Sequence, residues 1–310
     1  MGFSKTAVLS SLVFAVAVTA SAAVDGMIPI ERPDGAPTTV KEAVLRYNAA
    51  HPSTRIAAAG AKRSRRAIKP NVIEVETADF AFIIPAAGNV AGANGTFFKS
   101  DFSIGNFANA AQTVGIGWLA AGADNSTAAL QYFVIPANSV SSFSDFVGQS
   151  LGKSGLGAIL VISYNDAKTS VDDTGLIDGF SRIWTPEAGR PAGTNSQSFP
   201  AVSIQDSEAN FTAYALGLRQ DGNFRTNVGV VNLDTVQHTW TIQAYTGAST
   251  QLTVPPFSLG QTGAPTGSAN SSGYVALTFT PTDSADFFWS AYASSTDNVT
   301  GDGWVSRATQ

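Results

Sequence analysis

The chain has 310 residues, no cysteine, two histidines, 13% charged residues and a formal net charge of −5. That length suits two domains of ordinary size, each with its own core. The missing cysteines exclude disulfides, thiolate metal sites, cysteine nucleophiles and a lipoprotein-type anchor, and two histidines leave little imidazole chemistry.

Lys5, the apolar run Ala7–Val18 and the small-x-small pattern Ala20-Ser21-Ala22 predict a secretory signal peptide over residues 1–23, and hence a protein that is secreted or held at the cell surface. No later stretch approaches the roughly 20 continuous apolar residues of a transmembrane helix. Residues 24–70 read as a basic, proline-containing linker with one short helix. That helix runs from Thr38 or Thr39 to Ala50, with a Thr cap and Val40, Ala43, Val44 and Tyr47 on one face. Lys62, Arg63, Arg65 and Arg66 form a basic cluster in this linker, read as a solvated tether, a processing site or an interaction arm. Residues 1–69 carry ten bases and four acids, whereas residues 70–310 carry eight bases and nineteen acids. An exported protein with so acidic a body is not expected to bind nucleic acid.

Abundant Gly, Ser, Thr, Asn and Ala with short Val-, Ile- and Phe-rich runs predict an all-β body. Its first domain, residues 71–205, has candidate strands at Asp79–Ala86, Phe97–Phe107, Thr113–Ala120, Ala129–Ile135, Gly157–Tyr164 and Gly179–Thr185, and a helical turn within Ser142–Leu151. The second, residues 206–310, has strands at Phe211–Leu218, Phe224–Asn232, Thr239–Tyr245, Gln251–Val254, Gly273–Thr280, Phe287–Ser294 and Gly303–Arg307. Phe98-Lys99-Ser100-Asp101-Phe102-Ser103-Ile104-Gly105-Asn106 returns 126 residues later as Phe224-Arg225-Thr226-Asn227-Val228-Gly229-Val230-Val231-Asn232. Ile135-Pro136 matches Val254-Pro255 at an offset of 119, and Gly157–Val161 matches Gly273–Leu277 at 116. A duplicated strand series implies a duplicated domain. The expectation is two tandem immunoglobulin-like (Greek-key) β-sandwich domains. Ala158–Ile162 is apolar at every position and so must be covered on both faces, by the Phe143–Leu151 segment, the other domain or a partner.

Together with Ser181-Arg182-Ile183-Trp184 and the stretch Tyr292–Asp302, the repeated motif resembles a group of uncharacterised secreted bacterial proteins built from paired β-sandwich modules. The resemblance runs from about Phe80 to the C-terminus. It implies export and a bacterial source, and brings no activity, cofactor or catalytic residue.

His238 with Asp234 is the one pair that suggests a hydrolytic triad, but no Gly-x-Ser-x-Gly elbow accompanies it. Asp297, Asn298 and Asp302 offer oxygen ligands of the kind calcium takes, although turns use the same residues for backbone reasons. Trp118, Trp184, Trp240, Trp289 and Trp304, with Tyr245, Tyr274 and Tyr292, offer an exposed aromatic platform that binds sugar rings; Trp118 and Trp240 fall in phase with core residues, and Trp289, Tyr292 and Trp304 are the candidates carried forward. Lys99 and Arg225 are read as same-face ladder partners of Asp101 and Asn227. The sequence therefore predicts an exported, non-enzymatic β-sandwich protein for cell-surface or extracellular interaction or assembly, with a protein, a surface glycan or another copy as partner. Two alternatives stand beside it: a carbohydrate-binding module using exposed aromatics, and a hydrolase with an acidic site between the domains.

Overall fold

The computed structural model describes residues 26–50, 80–92, 95–164, 170–172, 174–187, 189–203, 212–283 and 287–309. The expected signal peptide and the cluster Lys62, Arg63, Arg65 and Arg66 lie outside the described residues. The fold is predominantly β. In chain order the elements are β1 (Ile28–Ile30), α1 (Val40–Ala50), β2 (Ala81–Ala91), β3 (Phe97–Asn106), β4 (Gln112–Ala120), β5 (Leu130–Ile135), β6 (Ser139–Phe143), a π-helical turn (Phe146–Ser150), β7 (Gly155–Tyr164), β8 (Ile177–Glu187), β9 (Arg190–Pro200) and β10 (Val202–Ser203). The second unit follows with β11 (Ala213–Arg219), β12 (Phe224–Asn232), β13 (His238–Ala244), β14 (Ser249–Val254), β15 (Ser258–Gly263), β16 (Tyr274–Pro281), β17 (Trp289–Asp297) and β18 (Gly303–Arg307). Among the described residues no helix is long and apolar enough to cross a membrane.

The duplication is visible in the hydrogen bonding. In the second unit the sheets run β11-β16-β13-β14 and β15-β12-β17-β18. The first unit repeats this as β2-β7-β4-β5 and β6-β3-β8-β9, its two layers joined where the β2–β3 hairpin passes between them at Val90–Phe98 and Ala91–Phe97. In each unit the first strand lies beside the sixth, the sixth beside the third, and the second between the fifth and the seventh. The immunoglobulin order sets the first strand beside the second along the sheet; here the two pair only at the hairpin end in the first unit and lie in separate sheets in the second. Core residues come from both layers of each unit: Phe82, Ile84, Phe102 and Ile104 in the first, Val228, Val230, Trp240, Ile242 and Leu277 in the second.

The expected linker is in part a component of the first unit. β1 pairs antiparallel with β5 along its outer edge. α1 starts where Thr39 Oγ1 accepts the Glu42 backbone N–H at 3.2 Å, while the Glu42 carboxylate accepts from the Thr38 N–H at 2.8 Å, a reciprocal cap that satisfies donors with no partner inside the helix. Its buried face is the one predicted: Val40, Ala43, Val44 and Tyr47. It lies on the outer face of β4 and β5, and Gly117 permits the approach, because a Cβ there would stand 2.8 Å from Val40 Cγ2.

The predicted second cover of Ala158–Ile162 is the other domain, together with α1. All five residues are buried. The core of the first unit continues without a break into Val231, Leu233, Phe257, Leu259, Phe288 and Tyr292 of the second. Tyr292 meets Phe199 edge-on at 5.2 Å, and Tyr47 of α1 lies between Phe80 and Phe288, at 5.7 and 6.5 Å. Polar clasps close the rim: Asn125 Nδ2 donates to the Phe257 carbonyl at 2.9 Å, Ser258 Oγ to the Ala120 carbonyl at 2.9 Å, and Gln197 Nε2 to Thr296 Oγ1 at 3.0 Å. Phe257 holds a left-handed φ of 47°, as Asn138 does at 49° in the equivalent turn of the first unit. Asn tolerates that region and Phe does not; the fully buried Phe257 ring in the shared core is what holds the turn there.

Burial also pushes the phenols of this core upward, Tyr132 to about 12 and Tyr164 and Tyr292 higher still. Their folded values lie above the ordinary value near 10, so the stability they confer is fully present below about pH 10 and is lost as pH rises towards the folded values. Urea unfolding is expected to show a stability that holds up to about pH 10 and falls between about pH 10 and 12 as the unfolded phenols ionise. A flat profile over that range would contradict the burial of these hydroxyls.

Candidate functional site

The face that stands out is the outer surface of β11-β16-β13-β14. Trp240 and Ile242 point into the core, so by alternation Thr239, Thr241 and Gln243 point out. The register then sets three rows across the sheet. One is Tyr214–Thr278–Gln243–Ser249, the next is Thr280–Thr241–Gln251, and the third is Thr239–Thr253 with Thr282 bonded alongside. Thr212 extends the middle row through a 3.0 Å hydroxyl contact with Thr280, and Thr239 and Thr253 share one of 2.9 Å. At the other end of the face Tyr214, Leu216, Tyr245 and Tyr274 are exposed, Tyr245 almost completely. The four strands carry one formally charged side chain, Arg219, at the margin opposite Tyr274, and Asp221 pairs with it at 3.0 Å.

Comparison with the first unit gives this face its meaning. There the corresponding rows are Leu160–Gly117–Leu130, Ile162–Gly115–Tyr132 and Tyr164–Thr113–Val134, an apolar and aromatic surface buried under α1 and the second unit. In the second unit Leu160–Gly117–Leu130 becomes Thr278–Gln243–Ser249, and Ile162–Gly115–Tyr132 becomes Thr280–Thr241–Gln251. The pairing also corrects the sequence match. Ile162 and Thr280 occupy the same row 118 residues apart, two more than the 116 read from the sequence.

No protein-family profile matches this chain, and no curated protein matches it either.

The predicted aromatic platform is not assembled. Trp289 is buried in the core of the second unit, 5.8 Å from Trp240. Tyr292 alternates with it towards the opposite face of β17, which the first unit covers. Trp304 is partly exposed on the edge strand β18, its indole N–H donating to the Gly217 carbonyl at 2.8 Å and its ring edge-on to Phe224 at 5.9 Å. Arg219 lies 4.1 Å over Phe224 and 5.8 Å from the Tyr274 ring. The exposed aromatics of a single sheet face are instead Tyr214, Tyr274 and Tyr245. Sequence reasoning set Tyr245 and Tyr274 beside the tryptophans but settled on Trp289, Tyr292 and Trp304, and it did not weigh Tyr214; the further signal was an uncharged series of strands alternating Thr, Gln and Tyr with core residues.

The other candidates serve the scaffold. The Asp297 carboxylate accepts from the Val299 and Thr300 backbone N–H groups, and the Val299 bond above all holds its carboxyl below the usual range. Asp302 accepts from the Gly303 N–H, and Asn298 receives the Arg225 guanidinium. Among the described residues no group of three His, Asp or Glu side chains is placed to hold a metal ion. His238 is buried, stacked on Phe287 at 3.6 Å, with Nδ1 2.8 Å from Asp283 and Nε2 2.9 Å from Asp234. Both ring nitrogens are held by carboxylates, so neither faces a serine as a triad requires. Lys99 pairs with Asp145 at 3.3 Å rather than Asp101, and Asp101 takes its cross-strand neighbour Arg182 at 3.5 Å and the Trp184 indole at 2.7 Å. Among the described residues the contacts between the units include apolar side chains, the amide and hydroxyl clasps of Asn125, Ser258 and Gln197, and backbone bonds from the Gly122 N–H to the Leu259 carbonyl at 2.9 Å and from the Asn125 N–H to the Pro256 carbonyl at 3.1 Å.

Proposed function

We propose that this chain is an exported, non-enzymatic protein of cell-surface or extracellular interaction or assembly, with the bare outer sheet of its second unit as the contact surface. One observation carries the reading: the same module face is apolar and covered in the first unit but hydroxyl-rich, uncharged and open in the second. A face meant only for solvent would carry Lys and Glu, which keep open sheets soluble and separate. Export rests on the Lys5–Ala22 pattern, and the first unit, locked by α1 and the interdomain core, serves as the base from which the second presents its sheet.

The test is a panel of immobilised neutral polysaccharides, acidic polysaccharides and the chain itself, probed with the full chain and with a Thr241→Lys/Thr280→Lys double variant. Both positions are on the outer face, so the variant is expected to fold with less than about 1 kcal/mol of change. Retention of the wild type on at least one surface, lost in the variant, is expected. A wild type retained on none, or a variant retained equally well, would overturn the reading.

A further inference from the structure

We infer that the partner of this face is a neutral polysaccharide. The inference rests on the contact surface proposed above and names its ligand class. Charge excludes the first alternatives: an acidic polymer, a phosphate-bearing ligand or an anionic surface needs bases, and the one guanidinium at the margin is already paired with Asp221. A protein partner would anchor on the tyrosine end alone, where Tyr214, Tyr245 and Tyr274 lie, and would leave the Thr, Ser and Gln rows idle, since Ser and Thr contribute little to protein interfaces; a sugar chain uses both. A second copy stacked as the two units stack within the chain would need the apolar rows Leu160–Gly117–Leu130 and Ile162–Gly115–Tyr132, and this face has lost them.

What remains matches a sugar chain. The three rows present hydroxyls and amides, which are donors and acceptors without charge, at about 4.8 Å between strands and about 6.8 Å along them. Several hydroxyls are fixed in direction before any ligand arrives: Thr212 with Thr280, Thr239 with Thr253, and Thr278 Oγ1 donating to the Gln243 carbonyl at 3.3 Å. Fixed groups lose less entropy on binding. Tyr214, Tyr274 and Tyr245 supply ring faces for the apolar side of pyranose rings at the same end of the sheet. The surface is an open sheet face, which suits a polymer laid across it.

The experiment is co-sedimentation of the full chain with microcrystalline cellulose, chitin and an insoluble neutral α-glucan, against alginate beads as the acidic control. Binding to at least one neutral polymer is expected to persist in about 1 M NaCl, because no ion pair contributes. It should weaken roughly tenfold in Tyr214→Ala/Tyr245→Ala, whose side chains are exposed and whose loss leaves the core intact. Absence of binding to every neutral polymer, binding to alginate alone, or undiminished binding by the tyrosine variant overturns the inference. Light scattering separates this from failure of the broader reading: self-association abolished by Thr241→Lys/Thr280→Lys would keep the face as a contact surface and remove the polysaccharide.

Discussion

Asn232→Ala is expected to destabilise the chain by about 2–4 kcal/mol, read from urea unfolding, through hydrogen bonds alone. Its Nδ2 donates to the carbonyls of Val236, Val254 and Pro255 at 2.8, 3.2 and 3.0 Å, and its Oδ1 accepts from the Asp234 N–H at 2.9 Å. Asn106 does the same in the first unit, to Ala110, Ile135 and Pro136 at 2.8, 3.2 and 3.1 Å and from Ala108 at 3.0 Å. Each Asn is fully buried and ties the turn after the second strand to the end of the fourth. Alanine leaves those carbonyls without their donor, the Val254 carbonyl at a buried position. Asn232→Asp is expected to be at least as damaging, since it sets a carboxylate oxygen against three carbonyl oxygens. A change under about 0.5 kcal/mol for Asn232→Ala would show that the repeated Asn is not the brace described here.

Tyr292→Ala is expected to cost about 3–5 kcal/mol, the range for emptying a fully buried aromatic site. The ring lies across Gly229, its cross-strand neighbour, and a Cβ on Gly229 would overlap it. Gly229→Val should therefore displace the same ring and lower stability by about 1–3 kcal/mol from the opposite direction, by overpacking. Tyr292 and Phe199 come from different units, so a double-mutant cycle between Tyr292→Ala and Phe199→Ala is expected to show coupling of at least about 0.5 kcal/mol. Additive losses would mean that the two rings do not join the units.

These two sites explain what was legible in the sequence. The repeated Phe98–Asn106 and Phe224–Asn232 motifs were visible because strand alternation has period two and because the closing Asn recurs; the matched Ile135-Pro136 and Val254-Pro255 pairs are its hydrogen-bond partners. The α1 face and the double cover of Ala158–Ile162 followed from pattern and burial in the same way. β6 and β15 escaped because Ser, Gly and Gln dominate them, and β9, Arg190–Pro200, because its Gly, Thr, Asn and Ser read as loop until β8 pairs with it. Trp289 and Tyr292 could not be sorted from alternation alone. One points into the second core and the other into the interdomain core, so both faces of β17 are buried. The Thr, Gln and Tyr face was hidden for a related reason: strands that alternate polar and apolar residues look like any half-solvated sheet, and only the comparison with the covered face of the first unit shows what was replaced.

The most direct test of the proposed contact surface is hydroxyl-radical footprinting of the full chain, free and sedimented with the neutral polymer that retains it, read by mass spectrometry. Protection of Tyr214, Tyr245 and Tyr274, with Phe180 on β8 of the first unit unchanged, is the predicted result. Protection of Phe180 with the three tyrosines still fully labelled would place the contact elsewhere and contradict the account.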